Sequence, residues 1–224
     1  MTVPPLTLVL FDVDGTLVDS QAHIMLAMQA AFAGQGLECP ARERVLSIVG
    51  LSLDRAFSVL APGLGADVQR QLVDGYKNAF VTARIKNSAA LSPLYPGALA
   101  CLNGLGQRED MVLGVATGKS KRGLDHMIEM HGLSGRFVTQ QVADFHPSKP
   151  HPSMALTAIA ESGADRGVMI GDTTYDMEMG RAAGLKTIGV SWGYHDASTL
   201  WGLADQVVDH FDDLTTAIHM LWGE

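Results

Sequence analysis

The chain reads as an α/β fold, a doubly wound, Rossmann-like parallel sheet with an inserted all-helical segment, on two observations. Short apolar runs at residues 6–11, 111–116, 167–170 and 186–190 are each followed by a loop and a helical pattern, the alternation that builds parallel sheets with helices on both faces. Between the first run and the second lie about a hundred residues with helical periodicity and no comparable strand signal.

The first run leads through LVLFDVDGTLVDS at 8–20, where four apolar residues deliver Asp12 and Asp14 to a strand end. Residues 21–33 then place Ile24, Met28 and Ala31 at helical spacing, ended by Gly34 and Gly36. Residues 53–60 form a short amphipathic helix, and Pro62-Gly63 marks a turn. Residues 68–83 carry Leu72, Tyr76 and Phe80 in steps of four. Ser92-Pro93 and Pro96-Gly97 close this stretch, so the helical insert is placed at 17–92 and the sheet-bearing core at 1–16 plus 93–224. The core continues with a helix at 98–105, the strand within VLGVATG at 112–118, and a helix from 121 to 131 bracketed by Gly132 and Gly135. A fainter strand is expected at 136–140. The prolines of DFHPSKPHP at 144–152 force a loop before a helix at 153–161, and 206–208 offers an edge strand.

With 224 residues, 47% of them hydrophobic, the chain can bury a sizeable core, which excludes collagen-like, fibrous and disordered classes. Its net charge of -8 gives no general attraction for nucleic acid or an anionic membrane. Cys39 and Cys101 are expected as separate buried thiols rather than a disulfide. The start MTVPPLTLVL has no basic leader, and no apolar run approaches the ~20 residues that cross a bilayer, so a cytoplasmic protein, monomer or homodimer, is expected.

Four loops carry groups able to do chemistry: Asp12 and Asp14, then Thr117-Gly118, then Lys149, then Asp172 and Asp176. In a parallel sheet these loops open on one edge, where doubly wound folds bind ligands. Two neighbouring carboxylates repel each other and lose hydration, costs that a divalent cation offsets. Asp12, Asp14 and Asp172 can supply the hard oxygen ligands that Mg²⁺ prefers. Lys149, the Thr117 hydroxyl and the amides of Gly118 and Lys119 suit phosphate oxygens. Such a site fits phosphoryl transfer in which one Asp attacks phosphorus and another carries the proton.

The motifs FDVDGTLVDS at 11–20, VATGKS at 115–120, SKPHP at 148–152 and GDTTYD at 171–176 resemble, in order and spacing, those of the haloacid dehalogenase superfamily of aspartate-nucleophile phosphatases. The resemblance covers nearly the whole chain and is greatest to phosphoglycolate phosphatase-like members, in GLSLDRAF at 50–57, VATGKSKRGLD at 115–125 and GDTTYDMEMGRAAGLKTIGVSWGYH at 171–195. It implies that Asp12 is nucleophile and Mg²⁺ ligand. Asp14 is implied as general acid/base, with its backbone carbonyl on the metal. Thr117, Gly118 and Lys149 would bind the phosphoryl group, with Lys149 restraining Asp12, and Asp172 would bind Mg²⁺, with Asp176 acting directly or through neighbours. The insert becomes a specificity cap hinged at Thr16 to Ser20. Asp14 separates phosphoryl chemistry from dehalogenation, and phosphoglycolate is the leading substrate. Sugar phosphomutases of the family favour Arg where this chain has Leu53. A phosphomutase, a pyrophosphatase or nucleotidase, and a non-catalytic phosphate-binding protein are the competing readings.

Blander roles stand beside these. Asp172 and Asp176 also suit helix capping. Arg42, Arg44, Arg55, Lys77, Arg84 and Lys86 suit a solvated insert surface, and Trp192, Tyr194 and His195, which follow the last good strand, either border the site or serve packing. The eight histidines show no zinc spacing, and the eleven methionines suit core filling.

Overall fold

The computed structural model describes residues 4–223, without the side chains of 83–90, so those of Arg84 and Lys86 lie outside the described residues. Six parallel strands, β1 (Thr7–Phe11), β2 (Met111–Thr117), β3 (Thr139–Val142), β4 (Arg166–Gly171), β5 (Lys186–Val190) and β6 (Gln206–Val208), lie in the order 3-2-1-4-5-6. This is the Rossmann order, with the direction of winding reversing at β1. Every residue of β1 is buried, as the apolar run from Leu8 to Phe11 requires of a central strand covered on both faces.

Register sets the site. Phe11 lies opposite Val115 on one side and Ile170 on the other, so Asp12, Thr117 and Asp172 emerge within one residue of each other at the same edge. The helices α5 (Ala98–Gly106), α6 (Lys121–Met130), α7 (Ser153–Ser162), α8 (Thr174–Ala182), α9 (Ala197–Leu200) and α10 (Leu214–Met220) belong to this layer.

Strand β3 lies three residues beyond its expected start. Gly135, at φ 75°, and Arg136 still belong to the preceding turn. The inward positions of the strand are polar. Thr139 and Gln141 both donate to Glu161, at 2.6 and 2.7 Å, and the Gln141 amide oxygen meets His146 at 2.9 Å. A buried strand that satisfies polar side chains this way carries no apolar signature.

Between β1 and β2, α1 (Gln21–Ala33), α2 (Arg42–Leu46), α3 (Leu53–Leu60) and α4 (Ala66–Leu91) have their own apolar cluster, including Ile24, Met28, Phe57 and Leu72. Helix α4 runs well past the expected 68–83, and the five-residue α2 has no expected counterpart. The two connections to the sheet are tied together: Asp19 N–H donates to Pro93 O (2.9 Å) and Tyr95 N–H to Leu17 O (3.0 Å). Leu17 and Val18 themselves pack in the sheet's cluster. Cys39 and Cys101 are free and half-buried rather than fully buried. Among the described residues no helix is long and apolar enough to cross a membrane.

Candidate active site

Four of the expected residues meet at the carboxyl edge of β1 and β4. Lys149 is 1% exposed, and its Nζ donates to Asp12 Oδ1 and Asp176 Oδ1, each at 2.6 Å. Asp176 Oδ2 accepts from Thr173 Oγ1 (2.6 Å) and Thr173 N–H (3.1 Å), closing a capping box at the start of α8. Its helix-capping role is therefore real, and the same carboxylate also holds Lys149. Asp172 accepts from Thr16 Oγ1 (2.9 Å) and from Tyr194 N–H (2.8 Å).

Two glycines make room for Asp172. A Cβ on Gly15 would come 2.2 Å from Asp172 Oδ2, and one on Gly193 would come 2.0 Å from Asp172 Cβ. Gly15 also needs φ 91°, which side chains rarely adopt. Gly171 does the same for Asp176, whose Cβ would lie 2.4 Å away from a substituent there.

The electrostatics of this cluster are unbalanced. Burial pushes the Asp12 carboxyl up to about 7; Lys149 opposes that shift, while Asp176 and Asp14 add to it. Burial, with the charges of Asp12 and Asp176, holds Asp172 well above the carboxylate range. Lys149 is raised, because the two aspartates outweigh its own desolvation. Asp12 Oδ2 is buried without a hydrogen-bond partner. Asp12, Asp172 and Asp176 each offer a carboxylate oxygen, and these oxygens lie within 4.8 Å of one another. One ammonium against three buried carboxylates, with an unsatisfied oxygen among them, is a donor set that fits a hard divalent cation.

Asp14 lies apart from that trio and faces the helical insert. Its Oδ1 accepts from Ser20 Oγ and pairs with Lys119 Nζ at 2.8 Å. The Tyr194 hydroxyl accepts from Ser20 N–H (2.8 Å) and lies 3.1 Å from Ser20 Oγ. Thr117 is fully buried at the end of β2, its Oγ1 accepting from Lys119 N–H at 3.2 Å. Gly118 touches the insert, since a Cβ there would lie 2.7 Å from the carbonyl oxygens of Gly50 and Leu51.

Further contacts hold the insert over this edge. Ser52 N–H donates to Ser148 Oγ (2.9 Å), Tyr175 Oη donates to Ser47 O (3.1 Å), and His195 Nε2 lies 3.2 Å from the same carbonyl. A cavity of about 340 Å³ remains between insert and sheet, lined at its base by Asp12, Asp14, Thr117, Gly118 and Lys119.

Sequence reasoning sets Tyr194 at the border of the site without a partner, and does not single out Thr16, Ser20, Thr173 or the Lys119 side chain as groups that hold it. Thr16, Ser20 and Thr173 lie inside the motifs. Thr16 and Tyr194 bond to residues 156 and 174 positions away, respectively, pairings without a local sequence signal. Trp192 does pack, with its Nε1 donating to Thr16 O at 3.0 Å.

Comparison with known proteins agrees with this architecture. A family model of haloacid dehalogenase-like hydrolases matches residues 9–190. A probable phosphatase, IndB, of Dickeya dadantii is 35% identical over 96% of this chain and 94% of its own length. A phosphoglycolate phosphatase of Agrobacterium fabrum is 30% identical over 97% of this chain and 95% of its own. The crystal structure of a predicted phosphatase from Clostridium acetobutylicum superposes with a TM-score of 0.84 at 23% identity, covering 97% of this chain and all of that one, a likeness of fold.

Proposed function

The chain belongs to the haloacid dehalogenase-like hydrolases, and from that premise we propose that it is a Mg²⁺-dependent phosphatase of small phosphorylated metabolites acting through a phosphoryl group carried on Asp12. The observation that carries this reading is the buried, unpartnered Asp12 Oδ2 beside Lys149 and Asp172.

In this reading the Asp12 oxygen attacks phosphorus and the bond to the leaving oxygen breaks, with Asp14 giving that oxygen its proton. Water then attacks phosphorus and gives a proton to Asp14, the bond from Asp12 breaks, and phosphate leaves. Lys149 keeps one oxygen of Asp12 fixed, so the other is free to attack. Thr117 and Gly118 hold the transferring group together with Lys149. Asp14, outside the metal trio and held by Ser20 and Lys119, is aimed at the side where the leaving group would sit. Mg²⁺ bound by Asp12, Asp172 and the Asp14 carbonyl would keep Asp12 ionised and offset charge on the phosphoryl oxygens. Asp176 holds the Lys149 ammonium with one oxygen and Thr173 at the start of α8 with the other, and positions the site through those contacts. The insert acts as a cap that excludes water during the reaction.

Phosphoglycolate, to which the sequence resemblance points, is the reference substrate against which other esters are ranked. Purified protein is expected to release inorganic phosphate from phosphomonoesters in Mg²⁺, to stop in EDTA, and to resume when Mg²⁺ is restored. Hydrolysis that persists after exhaustive chelation would remove the metal from the account.

A further inference from the structure

The cavity above Asp12 and Asp14 has a polar base and an apolar roof. From the insert, Ile24, Met28, Leu53, Ala56, Tyr76 and Phe80 face it. Tyr76 and Phe80, four residues apart on α4, form an aromatic pair with ring centroids 5.7 Å apart and planes 32° from each other. Phe80 is stacked on the buried His23 ring at 3.5 Å, and Lys119 Nζ lies 5.3 Å from its ring centroid, contacts that fix its orientation.

A small carboxylic acid such as the leaving group of phosphoglycolate needs a cation or several donors inside this space, because an unpaired carboxylate loses its hydration there. Among the described residues three fixed cations line the cavity: Lys77, Lys119 and Arg122. Lys119 is paired with Asp14 at 2.8 Å, and Lys77 and Arg122 are exposed to solvent. Among the described residues of the insert, the only side-chain hydroxyl on the wall is that of Tyr76. The roof thus offers apolar and aromatic surface with one hydroxyl, and the one desolvated cation beside it, Lys119, with its side chain 12% exposed and its Nζ 5.3 Å from the Phe80 ring centroid, is already neutralised by Asp14.

We propose that the leaving group selected by this cavity is a neutral alcohol bearing a flat apolar ring, which lies against Phe80 and Met28 while its phosphate reaches Asp12. The proposal rests on the phosphatase reading above for the phosphate end, and on the cavity wall for the ring. The 340 Å³ space lies at the low end of small-molecule sites and takes a ring with its phosphate, whereas a two-carbon acid leaves most of it to water.

Benzyl phosphate, ethyl phosphate and 2-phosphoglycolate share an aliphatic leaving oxygen and differ in the group that this oxygen carries, so their kcat/KM values in Mg²⁺ read the wall. Benzyl phosphate is expected to exceed both others by at least about tenfold. Phe80→Ala is expected to collapse the benzyl-to-ethyl ratio, chiefly through KM. Because that variant disturbs the His23 stack, calorimetric binding of benzylphosphonate and phosphonoacetate to the unaltered protein supplies a second readout, with benzylphosphonate binding at least about tenfold more tightly. Equal or better use of phosphoglycolate or ethyl phosphate would overturn the proposal, as would equal or tighter binding of phosphonoacetate. Tight benzylphosphonate binding without turnover of any ester would sink the phosphatase reading and leave the ring site standing.

Discussion

Asp12→Asn is expected to lower turnover by at least about 10³-fold, since it removes the attacking oxygen, and yet to give a more stable protein in EDTA at neutral pH. The stability gain comes from the field at the site. In the folded protein burial raises the Asp12 carboxyl from 3.8 to about 7, despite the opposing Lys149 charge. Between those two values the folded state keeps a proton that the unfolded chain has released, so this group's contribution to stability falls as pH rises from about 4 to 7 and then levels off. Asparagine does not titrate. The melting temperature of Asp12→Asn should therefore exceed that of the parent at pH 8 in EDTA, with the gap narrowing towards pH 4. A gap that does not change with pH, or a variant less stable at pH 8, would show that the carboxylate is not held against its own desolvation.

Lys149→Met is expected to inactivate the protein and to destabilise it strongly in EDTA. The ammonium is bonded to both Asp12 and Asp176, 2.6 Å from each, and its side chain is fully buried. Removing one partner of a buried charge cluster costs about 3–5 kcal/mol, which for a chain of this length lowers the melting temperature by about 6–20 °C. Adding Asp176→Asn should recover part of that loss, because it removes one of the charges left unpaired. Mg²⁺ should recover part as well, by mass action on the folded state. A Lys149→Met protein that melts with the parent would mean that Lys149 does not hold the cluster together.

The parts of this fold legible in the sequence are those whose burial is apolar. The all-buried TLVLF of β1 and the runs of β2, β4 and β5 announce a central parallel sheet, and the loops after these strands necessarily open on one edge. The steps of four in Leu72, Tyr76 and Phe80 announce α4, though not its full length to Leu91. Apolar patterning misplaces strand β3 because Thr139 and Gln141 are buried by hydrogen bonding to Glu161 rather than by hydrophobicity. Within the site, the aspartates and Lys149 stand out because charge at a buried strand end demands a reason. Thr16 and Tyr194 do not, since their bonds to Asp172 and Ser20 join segments 156 and 174 residues apart. The apolar roof is visible only as helix periodicity, which cannot separate a residue facing its own core from one facing a cavity.

The central claim is a phosphoryl group carried by Asp12, and an Asp14→Asn variant exposes it most directly. With p-nitrophenyl phosphate, whose leaving group departs without a proton, the first step survives while water activation is impaired, so the acyl phosphate should accumulate. Acid quenching in the presence of Mg²⁺, then peptide mapping, is predicted to find a hydroxylamine-labile phosphoryl group on Asp12. A phosphoryl group on another residue, or a burst of p-nitrophenol with none on the protein, would contradict the account.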